Sequence, residues 1–99
     1  MPAVYMLECG DGSFYVGSTR NLEARIQQHM VGAGSEYTRW RMPVRLVWAM
    51  ELDSVANAYA LEKQIQGWGR AKRIALIEGR FGDLKALAKK KFGKPPAVE

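Results

Sequence analysis

Five side chains in the first two-thirds of the chain are of types that handle protons and phosphates: Tyr5, Tyr15, Arg25, His29 and Glu62. Two phenols brought to one surface can share or shuttle a proton, or can form a cross-strand aromatic pair that only packs. A free phenol titrates at about pH 10, so a base role for either needs a cation beside it. Arg25 carries a planar donor fork suited to a phosphate. His29 lies four residues further on, and an imidazole titrates close to neutrality. Glu62 sits among apolar residues, where a carboxylate is costly unless something cationic meets it. That cation could be an arginine such as Arg25, giving an ion pair, or a hard metal bound through oxygen. The residue types alone leave each of these alternatives open.

The elements that must position these groups can be read from the pattern. Val4-Tyr5-Met6-Leu7 and Ser13-Phe14-Tyr15-Val16 are rich in strand formers, and Asp11-Gly12 between them predicts a hairpin. Alternation puts Tyr5 with Leu7, and Ser13 with Tyr15. Asn21 is a good N-cap for a helix from Leu22 to about Val31. On that helix Leu22, Ile26 and Met30 form the apolar stripe, while Arg25 and His29 lie on its flank. Gly32-Ala33-Gly34-Ser35 ends it.

Glu36 to Met42 reads as a loop mixing two arginines with two aromatics, which suits phosphate contact and base stacking. It equally suits a surface loop whose Trp40 plugs the core. Pro43 opens a third strand, Val44 to Met50, whose apolar density predicts a central position. Asp53 or Ser54 caps a helix to about Gly67. Its apolar arc holds Val55, Ala58, Tyr59, Leu61 and Ile65, with Glu62 inside it. Arg70 to Ile77 reads as a short helix with a positive face of Arg70, Lys72 and Arg73. Asp83 can cap a last helix through Lys91, followed by a basic, helix-breaking tail. The expected organisation is one domain over residues 1–88 and a flexible tail over 89–99.

The bulk properties bound the function. A chain of 99 residues with 47% hydrophobic and 25% charged content makes one modest core. A net charge of +5 favours a polyanionic partner, nucleic acid before membrane. A lone cysteine and a lone histidine exclude an intrachain disulfide and a Cys/His zinc centre. The sequence shows neither a signal-peptide pattern nor a membrane-spanning run, so a cytoplasmic setting is expected.

Taken in order, Ala3-Val4-Tyr5, Tyr15-Val16-Gly17, Arg25 and His29 on the next helix, and Glu62 on the following long helix resemble the GIY-YIG nuclease domain. The resemblance runs roughly from Val4 to Ile77. The length, the Gly32-Ala33-Gly34 loop and Tyr37-Thr38-Arg39 are similar to small stand-alone bacterial members. It implies an α/β sandwich with a small, three-stranded, mostly antiparallel sheet in the order β-β-α-β-α-α. It also implies a DNA endonuclease using one divalent ion, Mg²⁺ or Mn²⁺, with Glu62 as the sole protein ligand. Arg25 would bind the scissile phosphate, Tyr5 would position or deprotonate the attacking water, and Tyr15 would hold water or phosphate. His29 would be an alternative base or a shuttle, and Gly17 would let backbone approach the phosphate.

On this view the joint pattern favours the metal reading of Glu62. Arg39, Arg41, Arg70, Lys72 and Arg73 would hold the DNA backbone, giving salt-sensitive, sequence-poor binding. A role in DNA repair or recombination follows from the same resemblance. A monomer or weak homodimer is expected, with a further protein able to supply specificity. The alternative function is a catalytically idle nucleic-acid-binding module or a protein-interaction adaptor. The sequence departs from the family pattern in carrying Ala3 for the first glycine, only one histidine, and no asparagine after Asn57. If the five residues form a nuclease site, they should line one concave, solvent-open surface.

Overall fold

A computed structural model describes residues 1–80 and Gly82. The chain divides into two compact units, Met1–Gln66 and Gly67–Glu99. The first contains β1 (Ala3–Glu8), β2 (Phe14–Thr19), α1 (Leu22–Met30), α2 (Glu36–Arg39), β3 (Arg45–Glu51) and α3 (Val55–Gln66). The second contains α4 (Arg70–Ile77), in which Ala75 and Leu76 are buried. The helix expected over residues 83–91, the basic tail, and the boundary expected at residue 88 all lie outside the described residues.

The three strands form one antiparallel sheet in the order β2-β1-β3. This is the three-stranded α/β arrangement the sequence predicts, with one correction: the central strand is β1, not β3. Ala3 to Leu7 are all fully buried, as an uncharged run with a layer on each face should be. Among the β3 residues, Leu46 and Met50 are exposed. The apolar density of β3 therefore reports an edge strand, not a buried one. The β1–β3 register shifts between Met6 and Leu7, which face Trp48 and Leu46 respectively. Val47 is thus an extra residue, a bulge of the kind found on sheet edges.

Layering follows from alternation. Tyr5, Leu7 and Cys9 cluster with Val44, and Tyr15, Leu22 and Ile26 pack against them. That cluster puts α1 on one face of the sheet. α3 packs on β1 and β2, with Ala58 and Ile65 as its buried residues. In the hairpin the turn holds Gly12 at φ 85°, the left-handed value that glycine accepts without strain. The Asp11 side chain accepts from both the backbone N–H and the hydroxyl of Ser13, at 3.0 and 2.6 Å.

Several side chains sit otherwise than the helical patterns suggest. Met30 is exposed and His29 is fully buried, so the inward face of α1 is rotated toward the histidine. Val55 and Tyr59 are exposed on α3. The Glu36–Met42 stretch includes a single helical turn, α2, capped by the Ser35 hydroxyl accepting from the Thr38 N–H at 3.2 Å. Trp40 follows it and is 74% exposed, so it does not plug the core.

Candidate active site

Strand register builds the first half of the site. Tyr5 pairs with Gly17 and Leu7 with Tyr15. The two tyrosines are therefore diagonal neighbours on one face, with ring centroids 6.3 Å apart. A Cβ at Gly17 would lie 2.6 Å from the Tyr5 hydroxyl oxygen. The glycine is needed there because the phenol occupies the space a side chain would take. In this structure the close approach at Gly17 is to Tyr5.

The Tyr5 hydroxyl lies 2.8 Å from His29 Nε2, and Arg25 Nε donates to the same oxygen at 3.3 Å. His29 Nδ1 lies 3.0 Å from Thr38 Oγ1. Thr38 Oγ1 in turn donates to the Ser35 carbonyl at 3.3 Å. Arg25 Nε already donates to the Tyr5 oxygen, so the buried O–H donates to Nε2, and Nδ1–H then donates to Thr38 Oγ1. The chain of hydrogen bonds then runs in one direction, from Tyr5 through His29 to Thr38 and Ser35. Gly34 packs against the His29 ring so closely that no Cβ fits. Tyr15 completes the cluster, its centroid 5.2 Å from that of His29.

Burial sets the protonation states. Tyr5 is pushed up to about 12, chiefly by removal from water. His29 falls to about 4, through burial first and the nearby Arg25 charge second. Arg25 is raised, chiefly by its hydrogen bond to Tyr5. At neutral pH the phenol is protonated, the imidazole is neutral and the guanidinium is charged.

Glu62 comes from the other side. Its Oε1 accepts from the Ser18 hydroxyl at 2.6 Å, and its Oε2 accepts from Gln66 Nε2 at 2.8 Å. Gln66 Nε2 also donates to the Val16 carbonyl at 3.2 Å. Ser18 and Gly17 are adjacent on β2, so their side-chain directions oppose. The Tyr5 cluster therefore lies on one side of β2 and Glu62 on the other. The two are near enough for the Glu62 charge to contribute to the upward shift of Tyr5. Among the described residues Glu62 forms no ion pair with Arg25.

The structure thus joins Tyr5, Tyr15, Arg25 and His29 directly, and sets Glu62 across the edge strand. They do not line one open concavity, since Tyr5 and His29 are fully buried. Of the arginines expected to hold DNA, Arg41 is committed elsewhere. Its Nε is 3.2 Å from Asp11, and its guanidinium lies 3.8 Å from the Tyr37 ring centre. Arg39 lies over the exposed Trp40 ring at 5.1 Å. Arg70, Lys72 and Arg73 are on α4 in the second unit, where Lys72 Nζ lies 4.5 Å from the Trp68 ring centre.

Four partners escape the sequence reading: Ser18, Gly34, Thr38 and Gln66. Gln66 was findable, because it stands four residues after Glu62 and so on the same helix face. Thr38 and Gly34 act through tertiary approach alone, which no local pattern reveals.

The donor set fits a hard divalent cation. Glu62 and the Ser18 hydroxyl offer oxygen only. Among the described residues no group of three or more His, Cys, Asp or Glu could form an all-protein cage. A single carboxylate with water and phosphate oxygens suits a Mg²⁺-class ion.

Comparison with known proteins identifies the family. The model of the GIY-YIG catalytic domain matches residues 1–75. A UPF0213 protein of Natronomonas pharaonis is 40% identical over 79 residues, covering 80% of this chain and 93% of its own length. A UPF0213 protein of Streptococcus sanguinis is 40% identical over 77 residues, covering 78% and 88%. The solution NMR structure of a UPF0213 protein from Bacillus halodurans superposes with a TM-score of 0.54 at 37% identity, covering 90% of this chain and 96% of that one. Among the described residues no helix is long and apolar enough to cross a membrane. The chain belongs to the GIY-YIG catalytic-domain family, a nuclease-type domain whose substrates are nucleic acids.

Proposed function

We propose that this protein is a divalent-metal-dependent DNA endonuclease that hydrolyses phosphodiester bonds, acting in DNA repair or recombination. The observation that carries the reading is the one-way hydrogen-bond chain from Tyr5 to His29, with Arg25 on the phenol oxygen and Glu62 just across β2.

The Tyr5 oxygen donates to His29 Nε2 and accepts from Arg25 Nε, which leaves one lone pair for the attacking water. With Tyr5 near 12 and His29 near 4, the phenol keeps its proton at rest. Base work then proceeds as a relay. As the water's proton moves to the Tyr5 oxygen, the original phenolic proton passes to Nε2, and no free phenolate forms. The Thr38 hydroxyl holds Nδ1–H, so Nε2 stays the accepting nitrogen. Arg25, partly exposed above a fully buried Tyr5, must turn toward the phosphate for water to reach the phenol. Binding of the scissile phosphate by its guanidinium fork supplies that motion. Tyr15, half-buried beside His29, holds water or phosphate through its hydroxyl.

Glu62, oriented by Ser18 and Gln66, would hold the Mg²⁺ or Mn²⁺ ion. Bound there, such an ion supplies positive charge to the leaving oxygen and the phosphoryl group.

Plasmid nicking with Mg²⁺ or Mn²⁺ tests the reading. Wild-type protein should nick, while Glu62→Ala and Arg25→Ala should not, with unchanged circular dichroism. Equal cleavage by wild type and Glu62→Ala would refute it. The full burial of Tyr5 favours one second reading, an idle nucleic-acid-binding module. That module would show salt-dependent binding and no turnover with any divalent ion. A protein partner supplying specificity is compatible with either.

A further inference from the structure

The most exposed aromatic ring in the first unit stands on a rigid base. Trp40 is 74% exposed, and its ring has Arg39 Cζ at 5.1 Å. Burying so large an apolar ring would stabilise the fold, and the fold leaves most of it in water. Disorder does not explain the exposure, because the backbone on each side is pinned. Arg41 N donates to the Thr38 carbonyl at 3.0 Å, and Gly10 N donates to the Arg41 carbonyl at 2.7 Å. Arg41 is further locked between Asp11 and the Tyr37 ring.

This segment is also tied to the proposed site. Thr38 holds His29, and Tyr37 packs on Tyr15 with centroids 5.9 Å apart. Trp40 follows Thr38 by two residues, so their Cα atoms are within about 8 Å. An open indole paired with a guanidinium, on a chain of net charge +5, suits a flat, electron-rich ring with a phosphate beside it. A nucleotide combines those two features, and the base's π-face stacks on an aromatic ring whatever its sequence.

We infer that Trp40 and Arg39 form a stacking platform for an unpaired nucleobase a few nucleotides from the cleaved bond. The preferred substrate is then nucleic acid with unpaired nucleotides at that position, such as a single strand, a flap or a gap. A base inside a duplex offers its face only to its neighbours in the stack, so continuous duplex cannot engage the ring. The inference rests on the nuclease reading for the position of the cut, but base stacking itself needs no turnover.

The test is equilibrium binding in EDTA, by fluorescence anisotropy, of a labelled short oligothymidylate and of a duplex of the same length. Trp40→Ala should weaken single-strand binding by about tenfold or more and leave duplex binding within about twofold. Trp40→Phe should retain most of the single-strand affinity. Arg39→Ala should weaken both and lower the salt slope by about one. Trp40→Ala binding the single strand as well as wild type would overturn the inference. A companion cleavage assay with Mn²⁺ separates the two proposals. Trp40-dependent binding without cleavage sustains the platform and defeats the nuclease. Cleavage of single strand and duplex that is indifferent to Trp40→Ala defeats the platform and sustains the nuclease.

Discussion

The two sides of β2 solve opposite problems. On one side Tyr5 and His29 are sealed from water, and dehydration drives their proton affinities apart, to about 12 and about 4. On the other side Glu62 keeps contact with solvent and is aimed by a hydroxyl and an amide, Ser18 and Gln66. The dry side is part of the core, so its chemistry and the stability of the fold use the same contacts. The other, wetter side is covered by α3, but Glu62 is only half-buried there, so its carboxylate stays available to a cation. A group that must hold a defined tautomer belongs in the first setting, and one that must exchange ligands belongs in the second.

The sharpest way to break this contrast is Glu62→Ala. It should lower cleavage by about a thousandfold or more while the melting temperature stays within about 2 °C, read by plasmid nicking and thermal denaturation. A large fall in melting temperature would mean the wet side is structural after all.

Thr38→Val comes next. It removes the acceptor for His29 Nδ1–H and should lower turnover about 10- to 100-fold with a stability loss of about 1 kcal/mol. Turnover equal to wild type would show that the tautomer needs no fixing.

Gly34→Ala should behave as a core mutation, because a Cβ there meets the His29 ring. A destabilisation of about 1–3 kcal/mol is expected, measured by urea denaturation. An unchanged midpoint would mean that the dry side is looser than its packing indicates.

The pH dependence follows from the same side. His29 has a folded pKa of about 4 against an ordinary 6.5. Its stabilising effect is therefore complete above 6.5 and is lost as pH falls from there toward 4. Tyr5 is raised from 10 to about 12, so stability is also lost as pH rises through that interval. His29 is the one histidine in the chain, so an NMR titration of the metal-free protein reads it without ambiguity. A midpoint near 6.5 would remove the argument for a dry site. Smallest of all, Arg45→Ala, which breaks a surface ion pair with Glu8, should change stability by less than about 1 kcal/mol.

The legibility of the sequence divides along the same line. The hairpin, the Asn21 cap and the span of α1 were readable because Asp11-Gly12 and Asn21 act on their own neighbours. The five chemical residues were nameable from type, order and a family resemblance. The burial of Tyr5 and His29 was not, because His29 goes inward only once Gly34 and Thr38, beyond the end of α1, close on it. The central place of β1 was hidden because Val44 to Met50 is just as apolar, and strand order depends on what covers each face. Trp40 could be read either as a core plug or as a surface ring, since composition carries no direction.

The extra residue in β3 has a bearing on how the molecule behaves in concentrated solution. A sheet edge with exposed Leu46 and Met50 invites pairing with a neighbouring chain. Val47 interrupts the ladder, and Arg45 and Glu51 put a charge at each end of the strand. Deleting Val47 would straighten that edge and expose an unbroken template, turning a guarded edge into a seed for aggregates far from any group that meets substrate.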